Sequence, residues 1–330
     1  MFKRSTVLTL SLAANICLSG CLAHTGSLGA PNPANFAYLW TEESHGEIVP
    51  LNLDPRNIYG MGLTYASHLK GTGQKFDPEV PPPVFKKDLA ALNRDGSPVE
   101  IPTRDEIIAM AEKIEPGLGE KIDRRFKKML PLLDYEVELG FVLLENVDWG
   151  RIEDPDYAPK IGYFIANDIS LRALAILGEG MPNRYDYWGA SKSFPNFLPV
   201  GQNMWVPGEV RPGSILSVVI TTRVNGEIRQ RQSTEDMMYT PREMLKFIYQ
   251  RYPDPPPARG DIVLTGTPGG VALQIPPWKK LISDIVRLDR FAKLFFTIRA
   301  GGDNDKFLIT GDIVEVSGGV LGKVETQIIR

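Results

Sequence analysis

Cysteine is nearly absent from this chain. Its 330 residues hold two, Cys17 and Cys21. Everything after residue 21 therefore lacks a thiol for a disulfide, thiolate catalysis or a zinc–thiolate site. Histidine is almost as scarce, with only His24, His45 and His68. Basic charge is not in excess: 37 Lys and Arg face 40 Asp and Glu, which gives no basic nucleic-acid surface. The apolar run Val7 to Leu18 is too short to span a bilayer. Glycine and proline are plentiful, at 31 and 27 residues, and favour a strand- and loop-rich protein over a helical bundle. The length allows one large domain or two small ones.

The first residues carry a targeting pattern. Lys3 and Arg4 precede the apolar run, which ends in Leu18-Ser19-Gly20-Cys21. This resembles a bacterial lipoprotein signal and implies cleavage before Cys21, lipidation of that residue and a membrane tether. An ordinary secretory signal is the plainer alternative. Leu22 after the cysteine resembles the outer-membrane-sorted type, which implies an exported protein on the periplasmic side of that membrane. Residues 1–20 are thus expected as signal and 21–56 as tether and N-terminal extension.

The stretch Leu133 to Leu144 reads LDYEVELGFVLL. In a strand, Asp134, Glu136 and Glu138 share one face and Tyr135, Val137 and Leu139 the other. Stacked acids leading into a core strand need a compensating positive charge, and oxygen ligands suit Mg²⁺, Mn²⁺ or Ca²⁺. A half-exposed strand with a wet acidic face is the plainer reading. His68 follows the strand-like run Asn57 to Tyr65, and the polar segment Gly71 to Pro83 could form a flap beside it. Thr103 to Glu106 has capping-box spacing and opens a helix to about Glu115. Residues 116–130 read as a basic helix, preferably a solvated face, with anionic phospholipid as the alternative. Asp168 ends the apolar run Pro159 to Asn167, either as a further carboxylate or as a helix cap. Asn225-Gly226 signals a hairpin, and Thr240 caps a helix at Pro241 to Tyr252. GDIVLTGTPGGV (260–271) reads as a strand running into a turn able to cradle an anionic oxygen. A helix is expected at Lys280 to Phe291, and a β-hairpin at Gly311 to Arg330.

Five motifs in order, DYEVELGFVL (134–143), IGYFIANDISLR (161–172), SKSF (191–194), GDIVLTGTPGGV (260–271) and GDIVEVSGGVLGKVET (311–326), resemble the fumarylacetoacetate hydrolase family. The resemblance implies an α+β, β-rich roll or sandwich with flanking helices over residues 57–330, with inserts near 103–130 and 275–305. It implies a homodimer, a divalent ion (commonly Mg²⁺, with Mn²⁺ or Ca²⁺ as alternatives) and a small oxo-acid substrate. The metal carboxylates fall on Glu136, Glu138 and Asp168. The active-site lysine falls on Lys192 and the base of hydrolytic members on His68. Substrate positioning falls on Arg172, Gly266 and Thr267.

The implied reaction is carbon–carbon hydrolysis of a 2,4-dioxo acid, with a metal-held enolate. Decarboxylation or tautomerisation of a related oxo acid is the alternative, and a tethered binding protein without turnover is another. Two departures stand out. The glutamate that often sits three residues after the histidine is Gly71 here, with Glu179 as a candidate replacement, and the acid and amide that often follow the arginine are absent after Arg172.

Overall fold

The structure is a computed structural model. It describes residues 34, 36–72, 80–274, 288–302 and 304–330, with the side chains of 70–72 excluded. The expected signal, Cys21 and residues 22–33 and 35 of the expected tether lie outside the described residues, as do 73–79 of the expected flap and 280–287 of the expected helix. No described helix is long and apolar enough to cross a membrane.

Two sheets organise the chain. The larger runs Gly46–Pro50, Asn203–Pro207, Ile161–Asn167, Val137–Leu143, Ile262–Leu264, Ile58–Met61, Val84–Lys87. Its neighbours are antiparallel, except that Ile262–Leu264 lies parallel to Ile58–Met61. The smaller runs Glu227–Ser233, Val219–Val224, Ile313–Gly318, Lys323–Ile329, Val99–Glu100. The arrangement is mixed α+β and rich in sheet, as the sequence leads one to expect.

The two central strands, Val137–Leu143 and Ile161–Asn167, are buried along their whole length. Burial on both faces explains their nearly continuous apolar sequence. Their faces do different work. Val137, Leu139, Phe141 and Leu143 pack with Ile220, Val316 and Leu321 of the smaller sheet. Val142, Phe164 and Ala166 pack with helical residues such as Ile107, Leu174 and Tyr187. Glu136 and Glu138 share the parity of Val142, so period two sends them to the helical side. Gly140 admits the Phe164 ring across the pair; a Cβ there would lie 2.3 Å from it.

The helices follow their caps. Thr103 and Thr240 both close full capping boxes, at the starts of Arg104–Ile114 and Pro241–Arg251. Several expectations change. The basic helix is shorter than 116–130 and covers Leu118–Arg125. Extending it would stack Arg124, Arg125, Lys127 and Lys128 at helical spacing, where like charges repel. Most of the helix expected at Lys280 to Phe291 lies outside the described residues; a helix Arg290–Gly301 starts within its last residues, with Asp289 capping it by accepting from Ala292 N at 2.7 Å. His68 sits inside a short helix, Ala66–Thr72, rather than at a strand–loop junction. Asp168 is no helix cap, since the next helix is Arg172–Leu177 with Leu171 at its N-cap. The acidic stretch is two strands, Leu133–Asp134 and Val137–Leu143, broken at Tyr135-Glu136.

Candidate metal and catalytic site

The break in the acidic stretch separates its carboxylates. Asp134 pairs in register with Ser170 and turns away from the other two. It accepts from the backbone N–H groups of Tyr135, Ala272 and Leu273 and binds Arg172 Nε at 2.7 Å. Glu136 and Glu138 instead meet Asp168, which leaves the end of the neighbouring strand. Ligand oxygens of these three buried residues lie within 4.8 Å of one another. The partition of the three acids is thus one anchor for Arg172 and two members of a triad completed by Asp168.

Cations thread the triad. Lys192 follows the helix Arg184–Ser191, and its Nζ lies 2.7 Å from Glu136 Oε2 and 2.5 Å from Asp168 Oδ2. Lys87, at the end of an outer strand, pairs with Asp168 Oδ1 and is fully buried. Arg172 Nη2 lies 2.5 Å from Glu136 Oε1, as a close ion pair without hydrogen-bond alignment. Burial alone would push the Glu136 carboxyl up, but the Lys192 and Arg172 charges hold it down, to about 2.

Glu138 differs. Its Oε2 accepts from Gly266 N at 2.8 Å, and no described cation touches it. Burial first, then the Asp168 and Glu136 charges, push its carboxyl well above the usual range. Four buried carboxylates (Asp134, Glu136, Glu138, Asp168) therefore face three cations (Lys87, Arg172, Lys192). Among the described residues one positive charge is missing, and the missing charge falls at Glu138. Asn167 Nδ2 and the Tyr65 hydroxyl are also buried without a hydrogen-bond partner, while Asn167 Oδ1 accepts from Glu136 N at 3.1 Å. An oxygen-rich set lacking positive charge fits a hard divalent cation.

The glycine–threonine turn supports the acidic strand. Gly266 has φ +92°, and a Cβ there would lie 2.2 Å from Thr64 Oγ1, so glycine alone brings this N–H to Glu138 without a clash. The Thr265 hydroxyl donates to Leu139 O at 2.7 Å, and the Thr267 hydroxyl to Val137 O at 3.0 Å. These donors are engaged within the protein.

His68 borders the cluster. Its imidazole hydrogen-bonds with the Pro268 backbone and feels the charges of Glu136, Arg172 and Asp134. Burial lowers its pKa, against the pull of Glu136, so the ring is held neutral and able to accept a proton. Gly71 lies in the same short helix and brings no carboxylate. Glu179 is exposed beyond the helix Arg172–Leu177 and does not enter the carboxylate cluster.

Two buried residues at the site escape a reading of the sequence. Lys87 stands beside Lys86 in a strand, and only the pleat separates them: Lys86 lies over the Tyr59 and Tyr252 rings while Lys87 turns inward. Gln230 is the one fully buried residue of its strand. Its Nε2 donates to Thr267 Oγ1 and Pro268 O, and its Oε1 accepts from Val137 N and Thr222 Oγ1, at 2.8–3.1 Å. This saturated amide ties the smaller sheet to the acidic strand. Its strand position after the Asn225-Gly226 turn was the only signal available.

Known proteins resemble this chain in sequence and in fold. The model of the fumarylacetoacetate (FAA) hydrolase C-terminal family matches residues 57–329. An uncharacterized protein of Methanocaldococcus jannaschii is 30% identical over 227 residues, 66% of this chain and 74% of that protein. An oxaloacetate tautomerase of Bacillus subtilis is 29% identical over 235 residues, 71% of this chain and 65% of that one. Among solved structures, a fumarylpyruvate hydrolase from Pseudomonas aeruginosa, in complex with Mn²⁺ and pyruvate, superposes with a TM-score of 0.53. At 18% identity it covers 93% of this chain and 99% of its own, a likeness of fold.

Proposed function

The chain belongs to the fumarylacetoacetate hydrolase family, and from that premise we propose that it is a divalent-metal-dependent enzyme of small oxo acids that hydrolyses a carbon–carbon bond in a 2,4-dioxo acid. The observation that carries this reading is the buried triad Glu136, Glu138 and Asp168, short of one positive charge at Glu138. These three residues would hold the ion, Mg²⁺ or Mn²⁺ in preference to Ca²⁺. When bound, such a cation supplies Lewis-acid polarisation of the keto and carboxylate oxygens of a 2-oxo acid.

The chain's own residues do the rest. Lys192 keeps its ammonium charged among the carboxylates and stabilises the oxyanion that develops beside it. Neutral His68 accepts a proton from water, whose oxygen adds to the distal carbonyl carbon. The bond to the central carbon breaks and its electron pair passes into the 2-oxo acid enolate. That carbon is reprotonated, giving a 2-oxo acid and a carboxylic acid. Arg172, fixed by Asp134, positions the substrate carboxylate. Gly266 and Thr267 shape the adjoining wall.

One observation favours a second reading, tautomerisation or decarboxylation of a related oxo acid. Neither needs activated water, and both tolerate Gly71 where a carboxylate would assist His68. The tautomerase relative agrees with this reading. A panel of 2,4-dioxo and 2-oxo acids with Mg²⁺, Mn²⁺ or EDTA, read by mass spectrometry, separates the two. Metal-dependent release of two acids establishes hydrolysis. Isomerisation or CO₂ loss alone moves the assignment to the second reading, and metal-dependent ligand stabilisation without turnover indicates a binding protein.

Lipidation at Cys21, an exported location and a homodimer belong to the same proposal. Labelled palmitate incorporation that persists in Cys21→Ala would remove the anchor, and a monomer by sedimentation would remove the dimer.

A further inference from the structure

A second surface, apart from the carboxylate cluster, combines features the active site does not use. The helix Arg290–Gly301 buries Leu294 and packs Phe291 and Ile298 against the core. Phe295 and Phe296 point out, 51% and 55% exposed, with their rings 5.6 Å apart. The segment 125–130 runs along this helix. At one end the Arg125 guanidinium lies 4.4 Å over the Phe291 ring. At the other, Gly302 approaches Leu130, where a Cβ would be 3.5 Å from Cδ1. Phe295 is one turn beyond Phe291 on that flank. Exposed Lys127 and Lys128, and half-exposed Leu130, lie in the stretch between the two contacts.

The charges here are unbalanced. Asp123 is held by Arg104 at 2.6 Å, Glu120 lies 3.4 Å from Arg124, and Asp289 accepts from Ala292 N as a helix cap. Lys127, Lys128, Lys293 and Arg299 form no ion pair among the described residues. A paired aromatic projection flanked by free ammonium and guanidinium groups matches an interface of apolar tails under anionic phosphates. We propose that this face, Lys127, Lys128 and Leu130 with Phe295, Phe296 and Arg299, docks on an anionic phospholipid bilayer. The phenyl rings enter the headgroup level while the lysines reach phosphate oxygens. The docking is independent of the active site and adds a second membrane contact to any lipid at Cys21.

The test uses the full chain with Cys17 and Cys21 replaced by serine, so that one introduced thiol carries a polarity-sensitive fluorophore. The label goes at Phe296→Cys or, as control, at Glu227→Cys beside the hairpin tip of the smaller sheet. Vesicles are phosphatidylcholine with or without phosphatidylglycerol. A blue shift at position 296 alone, only with phosphatidylglycerol and reversed by salt, supports docking. The double change K127Q/K128Q should weaken it roughly tenfold or more, at about fivefold per basic residue. No shift at 296, an equal shift at 227, or binding unchanged by K127Q/K128Q would each overturn it. A concentration-dependent shift at 296 without vesicles would assign the face to a second copy of the chain, which also overturns it.

Discussion

At the rim of the molecule, Arg290 grips Glu115 with two bonds of 2.6 and 2.7 Å, and the Tyr187 hydroxyl adds a third at 2.8 Å. One carboxylate meets one guanidinium at hydrogen-bond distance, while the Lys121 ammonium stands 3.9 Å off in solvent, where water screens it. The pair joins the end of one helix to the start of another and packs on the helix that leads to Lys192. At the centre, among the described residues, four carboxylates meet three cations, and Glu138 is left with one backbone N–H. Both systems are short, directional and partly or wholly dry. What separates them is charge balance. A balanced pair is a clip and asks for nothing more. An unbalanced buried cluster stays incomplete until something positive arrives, and that marks it as a site.

The comparison can be broken most sharply at Asp168. Asp168→Ala leaves Lys87 and Lys192 buried short of their main partner. It should cost about 3–5 kcal/mol in denaturant unfolding and abolish metal-dependent turnover. A loss under 1 kcal/mol would mean that the lysines escape to solvent and the cluster is not rigid.

Glu138→Gln removes the unmatched charge and leaves the shape. With a divalent cation at a hundred times its Kd, the wild type should gain about 2.7 kcal/mol, and the variant none. The pH dependence carries a sign. Glu138 titrates above its unfolded value, so in EDTA its contribution is fully present below about pH 4.5 and is lost as pH rises through the folded value. The thermal midpoint of the metal-free wild type should fall along that rise more than that of Glu138→Gln. Parallel curves would show that Glu138 is already compensated.

Glu115 behaves in the opposite way. Arg290 holds its carboxyl down to about 2, so the stabilisation is present above about pH 4.5 and is lost as pH falls towards 2. Discounted for partial exposure, Glu115→Gln should cost about 1–2 kcal/mol at neutral pH, with no effect on metal affinity. A change in metal affinity would mean that the clip also sets the position of Lys192. The smallest effect belongs to the two capping boxes. Thr103→Ala and Thr240→Ala should each cost about 1 kcal/mol and leave turnover alone.

The legible parts of the sequence share one property: their signal is local. Both capping boxes, the Asn225-Gly226 turn and the alternation that aims Glu136 and Glu138 span a few residues each. Lys192 could be placed only through the order of motifs, and that order alone decided between carboxylate and helix cap for Asp168, because nothing near them in sequence says that they meet. Lys87 and Gln230 were missed for the same reason. Lys87 finds its carboxylate 81 residues away, and Gln230 caps a backbone N–H 93 residues away. The break at Tyr135-Glu136 was hidden because uninterrupted alternation describes one strand as well as two. The separation of Asp134 from Glu136 became visible only when Ala272, Leu273 and Arg172 claimed it.

The bond from Gly266 N to Glu138 spans 128 residues. On a ribosome adding about 5–20 residues per second, Glu138 precedes its glycine by roughly 6–25 s. Through that interval the acidic strand exists without the antiparallel neighbour Ile262–Leu264 that later covers its edge. All three carboxylates are made by residue 168 on two strands that pair directly, but Glu138 gains its backbone N–H only after residue 266, so a nascent chain arrested before that point should hold a divalent cation less tightly than the finished chain even where its earlier helices have formed.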